Sequence, residues 1–214
     1  MNAPYPRPDR LERDQARIIA LMRDHPFAAV ITAVGGRPVA TQIPLIYDEE
    51  PEPHGRLRGH FAGNNPQAEI IDGAEVLALF AGPHAYVSPR WWEENVRGPT
   101  WDYVSVQARG RASLRRDPAF QNKMWSDLAN LGEARRHDLA GDRPWRFADA
   151  APEYIEDRRS KIVAFEIEIA ELVGISKLHA DFADEDAARV ASKLEEGDPT
   201  AQAVGARIRA RLDR

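Results

Sequence analysis

Two short stretches hold most of the residues able to do chemistry. Gly82 to Trp92 reads GPHAYVSPRWW, and Gly98 to Gly110 reads GPTWDYVSVQARG. Between them they contain three of the chain's five tryptophans. The rings are Tyr86, Trp91, Trp92, Trp101 and Tyr103, and polar groups are interleaved at His84, Ser88, Thr100, Asp102, Ser105 and Gln107. An apolar wall with a few convergent polar groups is what a flat aromatic ligand needs. Aromatic rings also fill cores and oligomer interfaces. Composition leaves both readings open. The glycines and prolines around these rings predict tight turns rather than packed mid-strand positions.

Other chemistries find little support. The chain has no cysteine, which excludes disulfides, thiolate zinc sites and a cysteine nucleophile. Its six histidines show no HExxH or HxH spacing, so no metal site is predicted. His60, His84 and His179 stand at strand edges beside small residues, and each reads singly as a satisfied, partly buried histidine. No GxSxG elbow, GxGxxG fingerprint or GxxxxGK[ST] loop is present. A phosphate would have to be held by side chains and strand-edge amides. No general acid, base or nucleophile stands out, so no catalytic residue is assigned.

These stretches need strands to position them. AEVLALFAG runs directly into the first and reads as a central strand buried on both faces. TWDYVSVQARGRASLRR alternates as a long strand, with Val104 and Val106 on one face and Tyr103 and Ser105 on the other. PFAAVITAV and RPVATQIPLIYD pair through Gly35-Gly36. RLRGHFAG is a short strand, and KIVAFEIEIAELVGISKL a long alternating one. Asn65 and Pro66 open a helical turn, and Asp117-Pro118 opens a helix. DRLERDQARIIALMRDH reads as an amphipathic helix, with Leu11, Ile18, Ile19 and Met22 on one face and Asp9 with Glu12 as a capping box. The tail from Asp184 is helical, with a break at Gly197-Asp198-Pro199. Six or so strands without βαβ alternation predict an α+β, mainly β fold: an antiparallel barrel with flanking helices.

At 214 residues the chain is long enough for one sizeable domain with a helical appendage, here divided as 1–180 and 181–214. No apolar run reaches the roughly 20 residues of a membrane-spanning helix, and the start lacks the apolar core of a secretory signal. A cytoplasmic address is expected. The net charge is −5, with arginines interleaved among acids and the clearest basic cluster in ARIRARLDR. No helix-turn-helix with a basic recognition helix stands out, so direct DNA binding is not expected.

The series PFAAVIT, VATQIPLIY, GHFAGNNPQ, VLALFAGPHAYVSPRWW, GPTWDYVSV and KIVAFEI…ISKL resembles the PaiB-like family of FMN-binding negative transcriptional regulators, from about Pro4 to about Leu178. The resemblance implies a split β-barrel of the flavin reductase and pyridoxamine-phosphate oxidase kind, a homodimer, and FMN in a groove at the subunit interface. Carried over by position, Ala40 and Thr41 would lie near the ring edge. Gly59 and His60 would end the next strand, and Asn64, Asn65 and Gln67 would face the phosphate or ribityl chain. Pro83, His84, Tyr86, Ser88 and Trp91 would line the groove. Thr100, Trp101, Asp102 and Tyr103 would come from the neighbouring strand or the partner subunit, and Lys177 would supply a positive charge.

The chain departs from the family pattern at several points. Gly63 stands where the family commonly has arginine, Asp102 where it has asparagine and Gln107 where it has histidine. Arg109 replaces an uncharged residue, and KLHAD replaces KLSQN at residues 177–181. Loss of an arginine forfeits a charge-assisted hydrogen bond to phosphate of about 1.5–3 kcal/mol, for which Arg58, Arg90 or Arg109 would have to compensate. Three functional readings follow. The first is an FMN-binding homodimer with a regulatory or weak flavin-dependent redox role. The second is a non-enzymatic dimeric interaction module that has lost FMN. The third is a haem-binding split-barrel protein with an axial His60, His84 or His179.

Overall fold

Alternating apolar and polar residues build the strands, and prolines and glycines punctuate them. The structure is a computed structural model that describes residues 7–93, 98–138 and 142–213. The start of the family resemblance at Pro4 and the last residue of the tail lie outside the described residues.

In chain order the elements are β1 (Leu11–Glu12), α1 (Gln15–Asp24), β2 (Phe27–Val34), β3 (Arg37–Pro44), β4 (Ile46–Asp48), β5 (Arg56–Ala62), β6 (Glu75–Val87), β7 (Thr100–Leu114), α2 (Pro118–Glu133), α3 (Pro152–Arg159), β8 (Ile162–Lys177), α4 (Asp184–Glu195) and α5 (Pro199–Leu212). One antiparallel sheet holds the strands in the order β3-β2-β6-β7-β8-β5-β4, with β1 attached to β8. β2 and β3 form a hairpin in which Val30 faces Thr41 and Val34 faces Arg37. Its turn is Gly35-Gly36, with φ of +53° and +80°, the left-handed region that only glycine enters freely. β5 runs along β8 with His60 opposite Ala164.

The chain divides into two compact units. The first comprises Met1–Leu21, Ala81–Val106 and Val173–Arg214; the second comprises Met22–Phe80 and Gln107–Leu172. In the first, Val87, Val104, Val106, Ile175, Val190, Val204 and Ile208 are buried. In the second, Met22, Val30, Leu57, Phe61, Phe80, Met124, Phe165 and Ile167 are buried, and the rings of Phe61 and Phe165 pack 4.8 Å apart.

Sequence expectations and structure differ in four places. The first helix begins at Gln15, not at Asp9. Leu11 and Glu12 are taken into the sheet opposite Ile175 and Gly174, a long-range pairing that overrides local helix pattern. Asp14 then caps the helix, its side chain accepting from the Ala16 amide at 3.0 Å. Among the described residues eight strands are present instead of about six, because β1 and β4 are only two and three residues long. β6 is central as expected. One of its faces is buried at Val76, Ala78 and Phe80, but Leu77 and Leu79 on the other are only half-buried. β6 also continues through GPHAYV, where a turn was expected. Gly82 allows this, since a Cβ there would lie 2.7 Å from Val104 Cγ2 and 2.8 Å from Leu21 Cδ1.

Candidate functional site

Continuation of β6 through Val87 decides where the aromatic residues point. Strand alternation buries Pro83, Ala85 and Val87 and turns His84 and Tyr86 outward. On β7 the same alternation exposes Trp101 and buries Asp102. Tyr86 is 46% exposed and Trp101 53% exposed, an unusual display for large rings. Their ring centroids are 6.0 Å apart in a T-shaped arrangement, and the His84 ring is also 6.0 Å from that of Trp101. After β6, Ser88 caps a 3-10 turn at Pro89–Trp91, its side chain accepting from the Arg90 amide.

This wall forms one side of a cavity of about 650 Å³ within the first unit. His84, Tyr86, Trp91 and Trp101 line it on the strand side. The other side is the junction of α4 and α5: Lys193, Leu194, Glu196, Gly197, Asp198, Thr200 and Ala201. The size falls within the roughly 300–1,000 Å³ of small-molecule sites. Sequence reading missed this second side. Its one signal was the Gly197-Asp198-Pro199 break, where Asp198 caps α5 by accepting from the Thr200 and Ala201 amides at 2.8 and 3.0 Å.

Trp92 lies apart from the wall, 6% exposed and packed into a buried cluster. Its indole N–H donates to His179 Nε2 at 3.2 Å, and its ring lies 5.0 Å from that of Phe182. An indole can only donate. Nε2 of His179 therefore accepts, and Nδ1 carries the proton, donated to Asp102 Oδ2. Lys177 Nζ lies 3.6 Å from Asp102 Oδ1 and donates to Thr100 Oγ1 at 2.5 Å and to the Trp101 carbonyl. Asp102 is 1% and His179 1% exposed. Two of the departures from the family pattern are thus partners: Asp102 and His179 are bonded to each other, and the charge of Asp102 is answered by Lys177 from inside the protein. His179 has both ring nitrogens engaged and none left for an axial bond to haem iron. It also adopts a φ of +55°, bending the chain between β8 and α4. A third departure, Asp181, pairs with Arg7 at 2.7 Å.

Tyr103 is half-buried on β7 in the first unit, and the remaining candidates lie in the second. Gln67 is fully buried. Its amide nitrogen donates to Val30 O at 3.1 Å and Thr32 Oγ1 at 3.0 Å, and its amide oxygen accepts from Thr41 at 2.5 Å. Asn65 donates to Thr41 Oγ1 at 2.9 Å and caps the Pro66–Glu69 turn through the Gln67 amide. Asn65, Gln67 and Thr41 therefore bind one another and fasten that turn to the β2–β3 hairpin. Ala40 and Asn64 are exposed. His60 is half-buried with Nδ1 shielded and unpartnered, and burial holds its pKa below the usual histidine value.

Two of the three compensating arginines are spoken for. Arg58, 3% exposed, grips Asp48 through two nitrogens at 2.6 and 2.8 Å and Asp127 at 2.6 Å. Arg109 binds Glu171 and Gln107. Arg90 is exposed. At Asp48 burial pushes the carboxyl up, but the hydrogen bonds and charges of Arg58 and Arg56 outweigh it and leave the pKa below the ordinary carboxylate value. A carboxylate depressed in the folded state stabilises the fold above its unfolded pKa of about 4, and that stability is lost as pH falls through the folded value. Asp48→Asn should therefore lose about 2 kcal/mol at pH 7. The loss should shrink at pH 3, as read from urea midpoints at the two pH values.

Among the described residues no helix is long and apolar enough to cross a membrane, and no three His, Asp or Glu side chains cluster as metal ligands.

Comparison with known proteins places these features. The chain is 31% identical over 184 residues to "Protease synthase and sporulation protein PAI 2" of Bacillus subtilis, covering 85% of this chain and 84% of that one. Two solved structures share the fold. The FAD and heme binding protein of Mycobacterium smegmatis superposes with a TM-score of 0.59 at 17% identity, covering 83% of this chain and 78% of that one. The flavocytochrome Anf3 of Azotobacter vinelandii superposes with a TM-score of 0.56 at 16% identity, covering 78% and 68%. The expected antiparallel split barrel with flanking helices is the fold observed. Residues 5–171 match the family model described as "Putative FMN-binding domain", and the chain belongs to that flavin-binding, PaiB-like family.

Proposed function

We propose that the protein is a cytoplasmic FMN-binding homodimer with a regulatory role, exerted through flavin occupancy rather than through direct contact with DNA. One observation carries the reading: three rings, His84, Tyr86 and Trp101, stand exposed side by side on β6 and β7 within the family-matched residues. Exposed rings of this size fit a flat ligand or a second subunit, and a flavin groove at a dimer interface uses both. The fit to FMN is divided. The wall suits the isoalloxazine ring. It does not suit the phosphate, because among the described residues the one lysine or arginine lining the cavity, Lys193, is paired with Glu196 at 3.0 Å. The phosphate would then lie outside this cavity, with Arg90 an exposed cation in the same unit.

Bound FMN would supply reversible one- and two-electron chemistry. The protein's own residues hold the ring and exclude water from one face of it. Lys177 fixes the start of β7, and so the angle of Trp101, through the Thr100 hydroxyl and the Trp101 carbonyl. The charge of the chain, −5, speaks for action through partners.

The test is a visible spectrum and a solution mass on the purified protein. Added FMN should be taken up with quenched flavin fluorescence, and the mass should be that of a dimer. Trp101→Ala, at a half-exposed position, should weaken FMN uptake about tenfold with little change in stability, since base–aromatic stacking contributes about 1–3 kcal/mol. A protein that neither carries nor quenches flavin would instead be the interaction module without cofactor.

A further inference from the structure

The α4–α5 side of the cavity lies outside the family-matched residues 5–171, so the resemblance assigns it nothing. Its charges are unusual for a site beside a phosphate-bearing cofactor. Glu196 neutralises Lys193 through both carboxylate oxygens, at 3.0 and 3.1 Å. The start of α5 would be a seat for anions, because its amides point outward and the helix dipole favours negative charge. That seat is already filled by Asp198, whose carboxylate takes both the Thr200 and Ala201 amides. With Lys193 and Glu196 cancelling each other, the described lining presents the rings of Tyr86 and Trp101 and one carboxylate with no opposing cation, that of Asp198. Aromatic faces attract cations and repel anions.

We infer that this cavity binds a flat ring carrying a positive charge or none, and discriminates against flat anions. The ring lies between the aromatic wall and the α4–α5 junction. Trp101 and Tyr86 supply the stacking surface; Asp198 supplies the charge selection, and Glu196 preserves it by holding Lys193 neutralised. Should FMN lie on the same wall, a molecule of this class is the partner placed against it. The selection itself belongs to the α4–α5 residues and does not depend on flavin uptake.

Two flat two-ring probes of opposite charge test it: N-methylquinolinium and 2-naphthoate, titrated calorimetrically into the flavin-free full chain. N-methylquinolinium should bind about tenfold more tightly than 2-naphthoate. Asp198→Asn should abolish that preference, and adding Glu196→Gln, which leaves Lys193 unpaired, should reverse it. Asparagine still caps a helix, and the Glu196 side chain is 65% exposed, so the fold is kept. Trp101→Ala should weaken N-methylquinolinium several-fold. Equal or tighter binding of 2-naphthoate, a preference that survives Asp198→Asn, or no binding of either probe would overturn the inference. FMN uptake is read separately from the visible spectrum, so failure there leaves this result standing, and the reverse holds as well.

Discussion

Replacing His179 by alanine should destabilise the first unit by about 3 kcal/mol, because a buried carboxylate loses the hydrogen-bond donor that answers it. Asp102 is almost wholly enclosed, and His179 gives it its one hydrogen bond, since Oδ1 has none and is answered only by Lys177 at 3.6 Å. Alanine would strand that carboxylate and leave the Trp92 indole without its acceptor. Alanine would keep the φ of +55° that histidine already adopts, so backbone strain adds nothing to the difference. The measurement is a urea titration followed by tryptophan fluorescence, in which Trp92 reports directly. Asp102→Asn in the same chain should recover at least half of the loss, because the group left behind is no longer charged. A double variant as unstable as His179→Ala alone would show that lost ring packing, not the stranded charge, sets the effect.

Gln67→Leu should cost about 3 kcal/mol in the second unit. Leucine has nearly the same volume but cannot answer the Val30 carbonyl, the Thr32 hydroxyl or the Thr41 hydroxyl, and each buried polar group left unpaired costs about 1–3 kcal/mol. The penalty is local, because Gln67 fastens one turn to one hairpin. Amide hydrogen exchange should quicken first in residues 27–44 and 65–70. Uniform quickening across both units would contradict this placement.

The two sites differ in how far they could be read from the chain. Asn65-Pro66 and Asp117-Pro118 were legible as helix starts, and Gly197-Asp198-Pro199 as a break, because capping is local: a side chain answers an amide two or three residues on. The long strands were legible because period-two alternation is local as well. The start of α1 was not, since β1 exists only through pairing with residues about 160 positions away. The bond between Asp102 and His179 spans 77 residues, beyond any spacing rule. There was nonetheless a signal. Both positions depart from the family pattern, and an acid gained at one with a base gained at the other is the mark of a compensated pair. Reading each departure alone made Asp102 look like a charge directed at a ligand. The exposed rings were visible in composition, but which of them face outward depended on β6 continuing through Pro83. His84 and Tyr86 went outward for that reason, while Trp101 follows the alternation of β7 and Trp92 the turn at Pro89–Trp91.

The cap on α5 has one more consequence. Asp198 is a ligand the chain supplies to itself. Held by a few covalent bonds beside the amides it binds, it competes at an effective concentration in the millimolar range or above. Free carboxylates and phosphates at ordinary cellular levels face an occupant that cannot diffuse away. The helix end is thereby withdrawn from the metabolite pool, and the cavity beside it is kept for molecules that do not look like Asp198.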